Sequence, residues 1–221
     1  MPNKMTIIDR RIMLLGASAF ALSGCGGLGL GPTDANNTLY VLEPALTPAP
    51  AGATPVDWAL EVDLPDAEDS FDSRRIALIK ADGTMDYYAN AEWPDRLPVL
   101  VQTALVAAFE ASGRVPGVAR TQDAVHADYE MGVEIRDFAA HYGAQDKDAK
   151  PSGMPKVTVT LIAQMTTAHG RKIVANLTAS QSADAGENST GAVVRAMNTA
   201  LTEAVQQIVA WALTMTAPTS P

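Results

Sequence analysis

Along residues 56–64, Val56, Trp58, Leu60, Val62 and Leu64 alternate with Asp57, Ala59, Glu61 and Asp63. A period of two marks a strand with one packed and one wet face, so a strand is expected there. The same alternation recurs in Tyr129, Met131, Val133 and Ile135, in Val157, Val159, Leu161, Ala163 and Met165, and in Ile173, Ala175, Leu177 and Ala179. The last two runs flank His169-Gly170 and read as a hairpin. A second hairpin is expected where Ala81-Asp82-Gly83-Thr84 joins residues 75–80 to 85–90, since Asp-Gly suits the turn whose two central positions take positive φ. Residues 39–42 have strand composition, and residues 43–55 carry four prolines that remove backbone donors. An edge strand followed by an extended connector is the expectation.

Two segments change to a helical period. Leu97, Leu100, Val101, Ala104, Leu105, Ala108 and Phe109 recur at steps of three and four within residues 94–113, with Asp95 as the expected cap, Pro98 in the first turn and Gly113 just past the end. Gln102 falls on the face expected to be exposed. Residues 190–213 place Val194, Met197, Leu201, Val205, Ile208 and Ala212 on one stripe, with Arg195, Asn198, Thr202 and Gln206 opposite. One base on the polar face is poor chemistry for lying on a membrane, so the stripe is expected to pack on a sheet. Adjacent hairpins without βαβ alternation predict an α+β fold, a largely antiparallel β-sheet with two amphipathic helices packed on one face.

The N-terminus is of another kind. Lys4, Arg10 and Arg11 precede an apolar run over residues 12–22, which ends in Leu22-Ser23-Gly24-Cys25, the only cysteine of the chain. Basic, apolar and small-residue regions in that order form an export signal, and a run this short falls below the roughly 20 residues needed to span a bilayer. The tetrapeptide reads as a lipoprotein box with Cys25 as the site of lipid attachment. Residues 1–24 are then a signal peptide, 25–38 a lipidated flexible tether, 39–215 the folded domain and 216–221 a disordered tail. Arg10-Arg11 also hints at a twin-arginine signal, although Asp9 stands where that pattern has a hydroxyl residue, and both export routes stay open.

Charge and chemistry narrow the function. Losing residues 1–24 removes three bases and one acid and deepens the net charge from −9 to −11. Such a surface is a poor partner for nucleic acid, which is bound by neutralising phosphates. The acids Asp63, Asp66, Glu68, Asp69 and Asp72 lack the glycine and terminal glutamate of a calcium loop and read as a solvated loop, so no metal is expected. His126, His141 and His169 belong to no zinc, nucleophile-elbow or phosphate-loop motif. A serine, histidine and acid could still meet in space, which keeps a lipoprotein hydrolase as an alternative, beside a purely structural envelope lipoprotein.

The order Tyr40-Val41-Leu42, Pro/Ala-rich connector, Asp72-Ser73-Arg74-Arg75-Ile76-Ala77, then Tyr87-Tyr88-Ala89-Asn90-Ala91-Glu92-Trp93-Pro94-Asp95-Arg96-Leu97-Pro98 resembles the ABC-type transport auxiliary lipoproteins. The likeness covers residues 39–212. It implies a non-enzymatic auxiliary subunit without cofactors beyond the covalent lipid. It also implies partnership with an Mce-domain protein and an ABC permease and ATPase that move lipids between inner and outer membranes. The anchor then lies in the cell envelope, and Gly26 rather than Asp after the cysteine favours the outer membrane. A second copy of the chain remains a further candidate partner. Tyr87, Tyr88 and Trp93, just before the first helix, either pack the sheet or face a partner; tyrosine and tryptophan offer large contact area with a polar handle.

Overall fold

The computed structural model describes residues 37–48, 50, 52–123, 126–143, 153–169 and 172–218. Cys25, the signal peptide and residues 25–36 of the tether lie outside the described residues. In chain order the elements are β1 (Thr38–Leu39), β2 (Leu60–Val62), β3 (Asp66–Ala67), β4 (Arg75–Ile79), β5 (Met85–Glu92), α1 (Leu97–Ser112), β6 (Val118–Arg120), a short 3-10 turn (Thr121–Asp123), β7 (Tyr129–His141), β8 (Lys156–Thr167), β9 (Ile173–Asp184) and α2 (Thr190–Ala212).

β7 is the axis of the sheet. On one side it runs antiparallel to β8, and β8 antiparallel to β9. On the other side it pairs in parallel with three short strands laid end to end: β2 at residues 129–131, β3 at 134–135 and β4 at 139–141. β6 continues the sheet beyond β2, while β5 and then β1 continue it beyond β4. The sheet is therefore mixed. The long ladders are antiparallel as expected from the hairpins, and the parallel pairings are short. β3 and β6 were not expected from the sequence, because two or three residues are too few to display a period.

Both helices cover one face, on which Met131, Ile135, Val157, Val159, Leu161 and Met165 are at most 1% exposed. α2 lies over β8 and β9 with Met197, Leu201 and Ile208 fully buried, which assigns its stripe to the sheet and not to a membrane. Each such aliphatic side chain contributes roughly 1.5–3 kcal/mol on burial. α1 sits over β2 and against α2, with Leu105 and Phe109 at 0% exposure.

Several local expectations change. The turn between β4 and β5 has positive φ at Gly83 alone (82°); it closes through Gly83 N–H to the Lys80 carbonyl (2.9 Å) and Lys80 N–H to the Thr84 carbonyl (2.8 Å). That is a type I turn followed by a glycine in the left-handed region. Gly113 takes φ 61° after α1 as expected, but Asp95 does not cap the helix: its Oδ1 accepts from the Arg96 amide (2.7 Å), and Arg96 is the cap residue, without a side-chain bond. Gln102 is not exposed. At 1% exposure it donates through Nε2 to the Val62 carbonyl (3.0 Å), tying α1 to β2. Residues 216–218 do not start a disordered tail, since the Trp58 indole N–H donates to Met215 O (3.1 Å), the Tyr129 hydroxyl to Thr216 O (2.6 Å), and Ala217 packs on the core.

Candidate functional site

The two most distinctive sequence blocks meet each other in space. Arg96 makes a two-pronged pair with Asp72, Nε to Oδ1 and Nη2 to Oδ2, both 2.6 Å. Ser73 O accepts from the Leu97 amide (3.0 Å), and the Trp93 amide donates to Arg74 O (2.7 Å) while Arg74 Nε returns a bond to Trp93 O (3.1 Å). These contacts anchor the start of α1, whose first amides lack a side-chain cap. Trp93 is 1% exposed and stands edge-on to Phe138, ring centroids 6.3 Å apart. Its burial removes it from the candidate partner surface, because a partner would have to displace the packed start of α1 to reach it.

Tyr87 and Tyr88 are half-buried, each with its hydroxyl engaged. The Tyr87 hydroxyl donates to Ser70 O (3.1 Å), and the Arg75 guanidinium lies 3.5 Å over its ring. The Tyr88 hydroxyl is 2.8 Å from that of Tyr142, which donates to Asn188 Oδ1 (2.9 Å), so Tyr88 is the donor within the pair. Burial, then the bond to Tyr142, pushes the Tyr88 hydroxyl well above the usual tyrosine range. This relay spans β5, the end of β7 and the approach to α2. It begins where β5 bulges and Asn90 adopts φ 54°, a region asparagine enters more readily than other side-chain-bearing residues.

The nearest approach to catalytic geometry is Asp137 and His141, four residues apart on β7, with Oδ2 and Nε2 at 2.8 Å. Burial raises the Asp137 carboxyl above its ordinary range although His141 opposes the shift, and its Oδ1 is buried without a hydrogen-bond partner. Among the described residues no hydroxyl or thiol hydrogen-bonds His141. His126 and His169 lie elsewhere, so a nucleophile, base and acid are not brought together here. Among the described residues no group of three or more His, Cys, Asp or Glu is placed to hold a metal ion.

Two features were not read from the sequence as sites. Residues 43–47 lie as an extended strap along α2, held by the polar face that was expected to meet water. Asn198 Oδ1 accepts from the Glu43 amide (2.6 Å), Thr202 Oγ1 from the Ala45 amide (2.9 Å), and Gln206 Nε2 donates to Thr47 Oγ1 (2.7 Å). The match is geometric: four helical residues rise about 6 Å, and two extended residues advance about 6.6 Å. The second feature is β9. It pairs with β8 alone among the described strands, and its residues 173–183 contain neither a charge nor a proline. Its face away from the helices is polar, with Thr160 and Ser180 hydroxyls 2.8 Å apart and Gln164 Nε2 donating to Asn176 Oδ1 (2.9 Å). Ile173 and Val174 are 54% and 43% exposed.

Among solved structures, the chain is similar to protein XCC0632 from Xanthomonas campestris at 29% identity and a TM-score of 0.72, covering 80% of this chain and 95% of that one. An uncharacterized protein at 12% identity shares the fold at a TM-score of 0.58, over 79% of this chain and 97% of its own. Lipoprotein GNA1162 from Neisseria meningitidis aligns over 71% of this chain and 99% of its own at 13% identity and a TM-score of 0.34, too low to bear on the fold. No curated protein matches the chain. A family model matches residues 40–209, and the chain belongs to that family, the ABC-type transport auxiliary lipoprotein components.

Proposed function

We propose that the chain is the lipid-anchored docking subunit of an ABC lipid transport system whose substrate-binding component carries an Mce domain. Cys25 holds it in the cell envelope, facing the periplasm from the outer membrane, and it acts by binding. The Mce partnership rests on the resemblance of the Asp72–Arg75 and Tyr87–Pro98 blocks, and the association with an ABC system on family membership. The single observation that carries the docking reading is β9. Natural edge strands are commonly short, charged, bulged, broken by proline or covered, because a free row of amides and carbonyls recruits other strands. β9 has 12 residues and, apart from a register irregularity near Ile173, shows none of those protections up to Ala183 among the described residues. An extended segment of a partner subunit can add there, with main-chain bonds supplying affinity.

The test is a paired substitution, Val174→Lys with Thr178→Lys, at exposed positions whose side chains make no hydrogen bond among the described residues. Lysines on an edge oppose strand addition without touching the core. Thermal stability should change by no more than about 0.5 kcal/mol per substitution, while the Mce-domain subunit no longer co-purifies with the full-length chain from envelope membranes. Undiminished co-purification would contradict docking through β9.

A further inference from the structure

A cleft of about 240 Å³ lies between the strap and the C-terminal parts of the two helices, and no residue of β9 lines it. Its walls are mainly apolar: Leu46 from the strap and Pro48 just past it, Ala108 from α1, Val205 and Val209 from α2, and Leu213 beyond it, with Thr47, Ser112 and Gln206 as the uncharged polar residues. The one charged residue in the lining is Arg114, which follows the left-handed Gly113 at the end of α1. Arg114 Nε donates to the Thr54 carbonyl (2.9 Å), and among the described residues the guanidinium forms no ion pair. Four of its five N–H groups, those on the two terminal nitrogens, are left in the fork geometry that matches a carboxylate.

We propose that this cleft binds a single-chain fatty carboxylate, its alkyl chain between strap and helices and its head on the terminal nitrogens of Arg114. Three observations converge. The chain carries a net charge of −9, so an unneutralised guanidinium beside an apolar slot is locally opposite to the molecule as a whole, and among the described residues no acid lines the cleft to compete for it. The volume lies below the roughly 300–1,000 Å³ of ordinary small-molecule pockets, which suits one flexible alkyl chain and leaves no room inside the cleft for a second. The strap forms one wall, held along α2 by its bonds with Asn198, Thr202 and Gln206, and presents Leu46, 46% exposed, to the cleft as an apolar surface that an alkyl chain would cover. The inference stands independently of β9 and of the docking partner.

The full chain carrying Cys25→Ser, so that neither anchor nor detergent competes, is titrated calorimetrically with dodecanoate below its micellar range. Dodecyltrimethylammonium and dodecyl maltoside serve as cationic and neutral probes of equal chain length. Saturable binding of dodecanoate is expected at one site, at least tenfold tighter than either control. Arg114→Gln should abolish that preference while leaving the maltoside affinity unchanged. Ala210→Trp, which fills the cleft from an exposed position, should abolish binding of dodecanoate while the thermal melt is retained. Equal affinity for the cationic probe, no saturable binding of dodecanoate, or full binding in folded Ala210→Trp would overturn the proposal.

Discussion

Gln102 and Leu105 sit on one helix, and their substitutions separate what periodicity reveals from what it hides. Leu105→Asp places a carboxylate at a position with 0% exposure and should cost several kcal/mol of a total stability of about 5–15, unfolding the domain. That result follows from the apolar stripe. Gln102→Glu should also be costly, at least about 2 kcal/mol, because it exchanges a buried donor to the Val62 carbonyl for an acceptor facing an acceptor. Urea denaturation of both variants checks the pair; an unchanged midpoint for Gln102→Glu would show that the helix does not lie over β2. No stripe could disclose Gln102, since its partner is a backbone oxygen forty residues away. Trp93→Ala belongs with the core and should destabilise by about 3–5 kcal/mol. Asp137 adds a pH dependence. Its folded carboxyl titrates above an unfolded aspartate, near 3.9, so its protonated form favours the fold at low pH and that contribution is lost as pH rises through the raised value. Asp137→Asn should flatten this part of the stability profile; an unaltered slope above pH 4 would contradict the assignment.

At the scale of elements, the strap gives the clearest prediction. Asn198→Ala with Thr202→Val removes the groups that receive the Glu43 and Ala45 amides, each bond worth about 0.5–1.5 kcal/mol at most and less at an exposed site. Hydrogen exchange at residues 43–47 should accelerate, while α2 itself stays protected because its opposite face is buried. Unchanged exchange would mean that the strap is held by Gln206 and by its apolar contacts without the bonds to Asn198 and Thr202. The long strands, both hairpins and both helices were legible because each repeats its period several times over a buried face. β3 and β6, and with them the parallel pairings, were not, since such short segments are fixed by the neighbours they meet; the edge strand expected at residues 39–42 forms as the shorter β1, Thr38–Leu39. The strap itself was expected as an extended connector. Its seat was not, because Asn198, Thr202 and Gln206 read as a wet helical face until another segment lies on them.

For the whole molecule, the signature residues and the proposed docking surface are different parts of the structure. Asp72, Arg74, Trp93 and Arg96 lock the start of α1 against the sheet, whereas β9 lies at the far edge and carries no distinctive motif. A family can therefore be recognised from the residues that build the scaffold while the surface that meets a partner stays silent in one sequence. Anchoring is a separate claim: Cys25→Ser should release the chain from membranes into the soluble fraction, and continued membrane retention in detergent-free buffer would count against lipid attachment there. The most direct measurement for the account as a whole is residue-resolved hydrogen exchange on the chain alone and in complex with its Mce-domain partner. Strand addition predicts that amides of residues 173–183 slow markedly on complex formation while those of the short edge strand β1 do not. Equal exchange along β9 in the free and bound states would contradict it.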